Sequence, residues 1–382
     1  MIEKYSFLKL IISLPLLILV ITSSCSSPQD IDLFYYSIPD QRADGWEVST
    51  PGAEGMNIEM LEDLLRKIEN NHYKNIHNFL IIKNGKLILD AFYKRGLTIV
   101  DSYVDNRDIE LHAMMSVTKS LVSILVGIAI EKHIISGTGD RIYSFFPEYK
   151  EFENWNKIKP EITIINFLTM RHGLLWDETS YKYSDPENTY YQMEQYSDWV
   201  KFTLDRELIS KPGERFAYST GASHTMEALI SNASGISFPE FAREYLFKEL
   251  GIKKSKWFKA PNGRADDVYL TGRSMAKLGQ LILNKGSWNG KQIVSPEWIG
   301  ESTENIVKVS ENYGYGYFWW RHTFNIDGNS FKTILAWGYG GQFIFIFPDQ
   351  HMVVCFTSGN YTNDLSMQPF EMIRRYILPS FF

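Results

Sequence analysis

Ser116 and Lys119 stand three residues apart in "MMSVTKS", directly ahead of the strongly apolar stretch "LVSILVGIAI". On a helix that spacing puts both side chains on one face. A helix this apolar is buried, and a buried lysine without a partner gives up its proton rather than keep a desolvated charge. A neutral amine beside a serine hydroxyl is a base beside a nucleophile. At the first turn, unpaired backbone N–H groups and the positive end of the helix dipole would favour negative charge developing on the serine oxygen. S-x-x-K alone is common, and a capping serine followed by a snorkelling lysine also fits it. The apolar run is what closes the lysine's route to solvent.

Two further stretches could complete such chemistry. In "KPGERFAYSTGASHTMEALISNASG", Lys211-Pro212-Gly213 reads as a turn, and Tyr218 precedes an amphipathic helix carrying Met226, Leu229 and Ile230. A phenol beside an ammonium can move a proton as acid or base. In "ILAWGYGGQFIFIFP", Gly338, Gly340 and Gly341 are expected at the start of a strand, where glycine weakens pairing unless something approaches the backbone closely. A backbone N–H there, with that of Ser116, would form an oxyanion hole; a bulge or tight turn explains the same glycines without chemistry. The eight histidines are scattered and no Cys/His cluster has ligand spacing, so neither a metal nor a cofactor is expected.

These residues need a framework. With 382 residues, 44% hydrophobic and 22% charged, the chain has room for a large core and two lobes. A net charge of −6 leaves no basic stripe for nucleic acid. Residues 1–25 read as a signal peptide: Lys4 and Lys9, an apolar run too short to span a bilayer and interrupted by Pro15, then small residues before Cys25. That ending resembles a bacterial lipobox, with Thr22 departing from the pattern. It makes Cys25 the expected site of lipid attachment, the lipid a membrane anchor, and the bacterial cell envelope the expected location. Cys355, in "HMVVCFTS", then has no disulfide partner and reads as a small core residue.

Residues 26–45 read as a polar tether and 46–382 as the domain. Within it, "NIEMLEDLLRKIENN" predicts a surface helix capped by Asn57, and Asn84-Gly85 a hairpin. From Asp140 to Asp266 the pattern is helical with aromatic loops and no clear strands. "TGRSMAKLGQLILNKGSW" predicts a helix, "YGYGYFWW" and "FIFIFPDQHMVVCFTS" predict strands, and "QPFEMIRRYILP" predicts a closing helix. Strands at both ends with helices between imply an α/β lobe from 46–139 and 267–382, an antiparallel sheet flanked by helices, with a helical lobe of 140–266 inserted in it.

Taken together, S-x-x-K at Ser116, Y-S-x at Tyr218 and the glycine-rich stretch at Gly338 resemble the serine β-lactamase and penicillin-recognising family. The class C-like branch, with its esterases and 6-aminohexanoate-dimer hydrolases, is the most similar. The resemblance runs from about Trp46 to the end and includes "LIIKNGKLI", "FLTMRHGLLW", "KPGERFAYST", "MAKLGQLILNKGSWNGKQIVSPEWI" and "AWGYGGQFIFIFPDQHMVV". It implies the family's fold, Ser116 as acylated nucleophile, Lys119 as its base partner and Tyr218 as proton shuttle. Tyr183, ahead of Ser184-Asp185-Pro186 in "WDETSYKYSDPENTYYQ", is similar to a tyrosine that closes over substrate in the hydrolase branch. Thr220, Trp337, Gly338, Tyr339 and Gly340 would complete the substrate contacts.

Two departures bear on substrate. Thr220 stands where Y-x-N has asparagine, and Lys332-Thr333 is followed by Ile334, so the K-T-G triad is broken. That lysine helps hold a substrate carboxylate in the family; without it, only another cation such as Lys332 or Arg273 could do so. The expectation is a small-molecule ester, amide or peptide substrate, with ester or amide hydrolysis ahead of D-amino-acid peptide cleavage and β-lactam hydrolysis. A catalytically silent binder of cell-wall fragments is the rival. The oligomeric state stays open.

Overall fold

The structure is a computed structural model that describes residues 36–93, 110–262 and 265–381. Every described residue lies in one compact unit, which spans 34–382. The signal segment, Cys25 and the start of the tether therefore lie outside the described residues. Residues 36–45, expected as the end of that tether, are instead held on the domain. Tyr36 Oη donates to Ile88 O at 2.7 Å, and Arg273 binds Asp44, the Asp40 carbonyl and Asp90.

A nine-stranded sheet organises the domain. Its spatial order is 47–48, 86–92, 76–83, 352–358, 342–347, 329–338, 320–326, 313–315 and 307–308. All neighbours run antiparallel except the short first pair, Glu47–Val48 against Lys86–Leu87. The N-terminal hairpin turns at Asn84 and Gly85, both at positive φ, as the Asn-Gly pair demands. It pairs with the C-terminal strand, so both chain ends build one sheet.

Both faces of this sheet are covered, which explains why its central strands read as unbroken apolar runs. Alternation divides them: Ile344 and Ile346 join the core shared with the helices Val117–Glu131, Thr220–Ser234 and Gly272–Leu283, whereas Phe343, Phe345 and Phe347 join the opposite core with the helix Ile58–Glu69. That last helix starts as predicted, with Asn57 Oδ1 accepting from the N–H groups of Glu59 and Met60.

Two expectations need correction. Gly338 ends the strand Asn329–Gly338, and Gly340 and Gly341, at φ +82° and +96°, form the tight turn into Gln342–Phe347. The glycines thus serve a turn that requires left-handed backbone, rather than opening a strand. The segment 140–266 also holds the strand Ser255–Lys259, which joins Ala265–Leu270 and His112–Ala113 in a small second sheet. Met114 N extends this sheet by donating to Val268 O at 2.9 Å, which carries it up to the turn before Ser116.

Candidate active site

Ser116 caps the N-terminus of the helix Val117–Glu131, of which 13 residues are buried, Lys119 among them. Lys119 Nζ lies 2.8 Å from Ser116 Oγ and 3.1 Å from Thr220 Oγ1, and 5.1 Å from the centre of the Tyr218 ring. The serine's turn is strained. Met115 adopts φ +50°, a left-handed conformation rare for an unbranched apolar residue with no side-chain hydrogen bond to support it. Asp267 holds this turn in place: its carboxylate accepts from Met115 N at 2.8 Å and from the Thr118 hydroxyl. Burial pushes the Asp267 pKa up to about 6, while those two hydrogen bonds and the nearby Lys119 charge pull the other way.

The helix Thr220–Ser234 brings a second set of groups. Thr220 Oγ1 donates to Glu178 Oε1 at 2.5 Å, and Thr220 N donates to Glu178 Oε2 at 2.7 Å. The same carboxylate accepts from Trp176 Nε1 at 2.9 Å and from Tyr183 Oη at 3.1 Å. Tyr183 packs edge-on between Tyr190 and Tyr339. Burial, then the Glu178 charge, raises its pKa far above the usual phenol range. Tyr218 stacks on Trp320 with ring centres 5.8 Å apart, and among the described residues its hydroxyl makes no hydrogen bond to Ser116 or Lys119.

These groups surround a cavity of about 330 Å³ whose walls include Ser116, Lys119, Tyr183, Tyr190, Thr220, Asp267 and Tyr339. Glu194 and Glu227 also line it. Burial raises both their pKa values, Glu227's well above the carboxylate range. A larger cavity of about 570 Å³ lies beside it, sharing His224 and Glu227, but does not reach the serine.

The structure gathers Ser116, Lys119, Thr220, Tyr183 and Tyr339 at one cavity and sets Tyr218 against the lysine. It does not do so for Trp337. Strand alternation puts Ala336 on the face of the nucleophile helix and Trp337 on the other, where it packs against Tyr313, Phe343 and Phe370. Gly338 abuts the nucleophile's turn: a Cβ there would lie 2.5 Å from Met114 O. Gly340 faces the Tyr361 ring instead of the cavity. Neither spare cation reaches the site. Lys332 pairs opposite Thr323 in mid-strand, and Arg273 is committed to Asp44 and Asp90. Sequence reasoning missed Glu178, Glu194, Glu227 and Asp267, single acidic residues that carry no local spacing signal.

A family model described as Beta-lactamase matches residues 77–371, a span that includes the nucleophile's turn, Glu178, Tyr218, Asp267 and the glycine turn. The chain belongs to the Beta-lactamase family. This family member is 20% identical over 334 residues to the 6-aminohexanoate-dimer hydrolase of Paenarthrobacter ureafaciens, covering 80% of this chain and 78% of that one. It is 28% identical over 188 residues to the protein flp of Staphylococcus aureus strain MW2, a match over 48% of this chain and only 35% of flp. Among solved structures it is similar to EstCE1, a hydrolase with promiscuous acyltransferase activity, with a TM-score of 0.63, 15% identity, and coverage of 82% of this chain and 96% of that one. At that identity the likeness shows the fold alone. The family model and the 6-aminohexanoate-dimer hydrolase relative together place the chain among β-lactamase-fold hydrolases.

Proposed function

We propose that the protein is a serine hydrolase that forms an acyl-enzyme on Ser116 and hydrolyses a carboxylic ester or amide. The observation that carries this reading is the buried Lys119 amine 2.8 Å from Ser116 Oγ at the start of an apolar helix. Lys119 takes the serine proton as Oγ attacks the substrate carbonyl. The Ser116 and Tyr339 N–H groups have no protein partner among the described residues, and Gly338 brings the strand end against the serine's turn. Those two N–H groups would receive the oxyanion. Tyr218, whose ring flanks the lysine, would pass the proton to the leaving group, and water would then release the acid.

The cavity's lining favours esters and simple amides over β-lactams and D-alanyl peptides. Asp267, Glu194 and Glu227 line it, and among the described residues Lys119 is the one lysine or arginine that does. A substrate carboxylate would be desolvated there without a matched cation. Short aryl esters should therefore show higher kcat/KM than penicillins of similar size. Ser116→Ala should abolish covalent labelling by a fluorophosphonate while leaving thermal unfolding unchanged. Labelling that persists in the variant, or a wild-type protein that never labels, overturns the assignment.

The lipid anchor belongs to the same proposal. Cys25, after the apolar leader, would carry the lipid and hold the enzyme at the bacterial cell envelope. Cys25→Ser should move the protein from the detergent to the aqueous phase on partitioning, and a wild-type protein already in the aqueous phase rules the anchor out.

A further inference from the structure

Resting on the acyl-enzyme reading, we propose that Glu178, acting through Thr220, is a positioning residue that aims the Lys119 lone pair at Ser116 Oγ. The argument is one of hydrogen-bond direction. An ionised carboxylate can only accept. Glu178 receives four donors: the Thr220 hydroxyl and N–H, the Trp176 indole and the Tyr183 phenol. The Thr220 hydroxyl has a single proton, and at 2.5 Å it is given to Glu178. Its oxygen is then left to accept, and its neighbour on that side is Lys119 Nζ, 3.1 Å away.

A neutral amine that donates to Thr220 keeps its lone pair for another direction, and Ser116 Oγ is 2.8 Å away. The serine proton moves to that lone pair as the Oγ–carbonyl carbon bond forms and the carbonyl π pair moves onto oxygen. Glu178 neither gains nor loses a proton. Were residue 178 an amide, its NH2 could donate to Thr220 instead; the threonine proton would turn to Lys119 and occupy the lone pair that the serine needs.

The same carboxylate holds Tyr183, which lines the cavity. Glu178 thus ties the substrate-facing loop to the geometry of the base. It also explains why threonine works where the family pattern has asparagine: a hydroxyl can accept from lysine and donate to a carboxylate at once.

The test is Glu178→Gln, Thr220→Val and Thr220→Ser, each assayed with p-nitrophenyl acetate from pH 5 to 9 and by the rate of fluorophosphonate labelling. Among the described residues Lys119 is faced by Asp267 and Glu227 as well as by the Thr220–Glu178 arm and the Tyr218 ring, so the wild-type acid limb reports these and whatever else faces the amine. Glu178→Gln should lower kcat about a hundredfold, with a smaller change in KM. It should also move the acid limb to lower pH by about half a unit or more, because removing a negative charge disfavours the ammonium. Thr220→Val, which leaves the Glu178 charge in place, should lower kcat comparably without that charge-driven shift, and Thr220→Ser should stay near wild type. In Glu178→Gln, a rate that drops equally at every pH, as a smaller folded fraction would give, overturns the proposal. So does wild-type behaviour in both Glu178→Gln and Thr220→Val. Should Glu178→Gln fail to fold, Thr220→Val against Thr220→Ser decides alone. Persistent labelling of Ser116→Ala would instead remove the acyl-enzyme reading, and the two failures are distinct.

Discussion

Replacing Asp267 by asparagine asks whether the nucleophile's turn is held at a cost in stability. Burial keeps the Asp267 carboxyl at about 6 when its ordinary value is 3.8. A group raised in this way binds its proton more tightly in the folded protein than in the unfolded chain. Its favourable contribution is fully present below about pH 4 and is lost as pH rises through about 6. A shift of about two units corresponds to about 3 kcal/mol. Water entering the cavity that Asp267 lines screens part of that charge, which puts the expected loss between about 1 and 3 kcal/mol. Asparagine has no proton to lose. Urea unfolding followed by tryptophan fluorescence at pH 4, 5, 6 and 7.5 should therefore show the variant gaining on the wild type by about 1–3 kcal/mol across that range. Activity should move the other way. The asparagine carbonyl can still accept from Met115 N, but its amide must donate to Thr118 where the carboxylate accepted, and the strained turn at Met115 loosens. Ester hydrolysis at pH 7.5 should fall about tenfold or more with KM less affected. A stability difference that stays constant with pH to within about 0.5 kcal/mol would refute the reasoning, because it would mean that Asp267 titrates alike in both states.

Gly338→Ala places a methyl 2.5 Å from Met114 O, so the strand end must back away from the serine's turn. If Tyr339 N–H serves the oxyanion, kcat/KM for aryl esters should fall about a hundredfold, and activity within twofold of wild type would exclude that donor. Tyr218→Phe keeps the stack on Trp320 and removes the hydroxyl. Its kcat should drop about a hundredfold with melting temperature nearly unchanged, and an unaltered kcat would show that the proton reaches the leaving group without the phenol.

What could be read in advance divides by distance along the chain. Ser116 and Lys119 were legible because one helical turn joins them, and the buried run after them declares itself in composition. The Asn57 cap and the Asn84-Gly85 hairpin were legible for the same reason: each is fixed by neighbours a few residues away. Glu178 is 42 residues from Thr220, and Asp267 is 149 from Thr118. Nothing in a single acidic residue distinguishes a solvated one from one that topology folds under a nucleophile. The strand Ser255–Lys259 escaped because "SKWFK" is short, lysine-bearing and only partly buried, which erases the alternation that marks a strand. Trp337 was misplaced for a different reason. It was grouped with its glycine neighbours by sequence proximity, although a strand sends residues 337 and 338 to opposite faces.

The strand Ile76–Lys83 has a partner that the ribosome makes long after it. Phe79 pairs with Phe356 and Lys83 with Met352, so the centre of the sheet joins strands synthesised early to one synthesised late. The apolar helix Val117–Glu131, with its nucleophile, emerges long before the strands Asn329–Gly338 and Gln342–Phe347 on which it packs. Contacts this distant in sequence close slowly and leave sticky surface exposed while they wait. A fragment that stops short of Met352 lacks the strand that joins the N-terminal hairpin to the rest of the sheet, however much of the catalytic machinery it already contains.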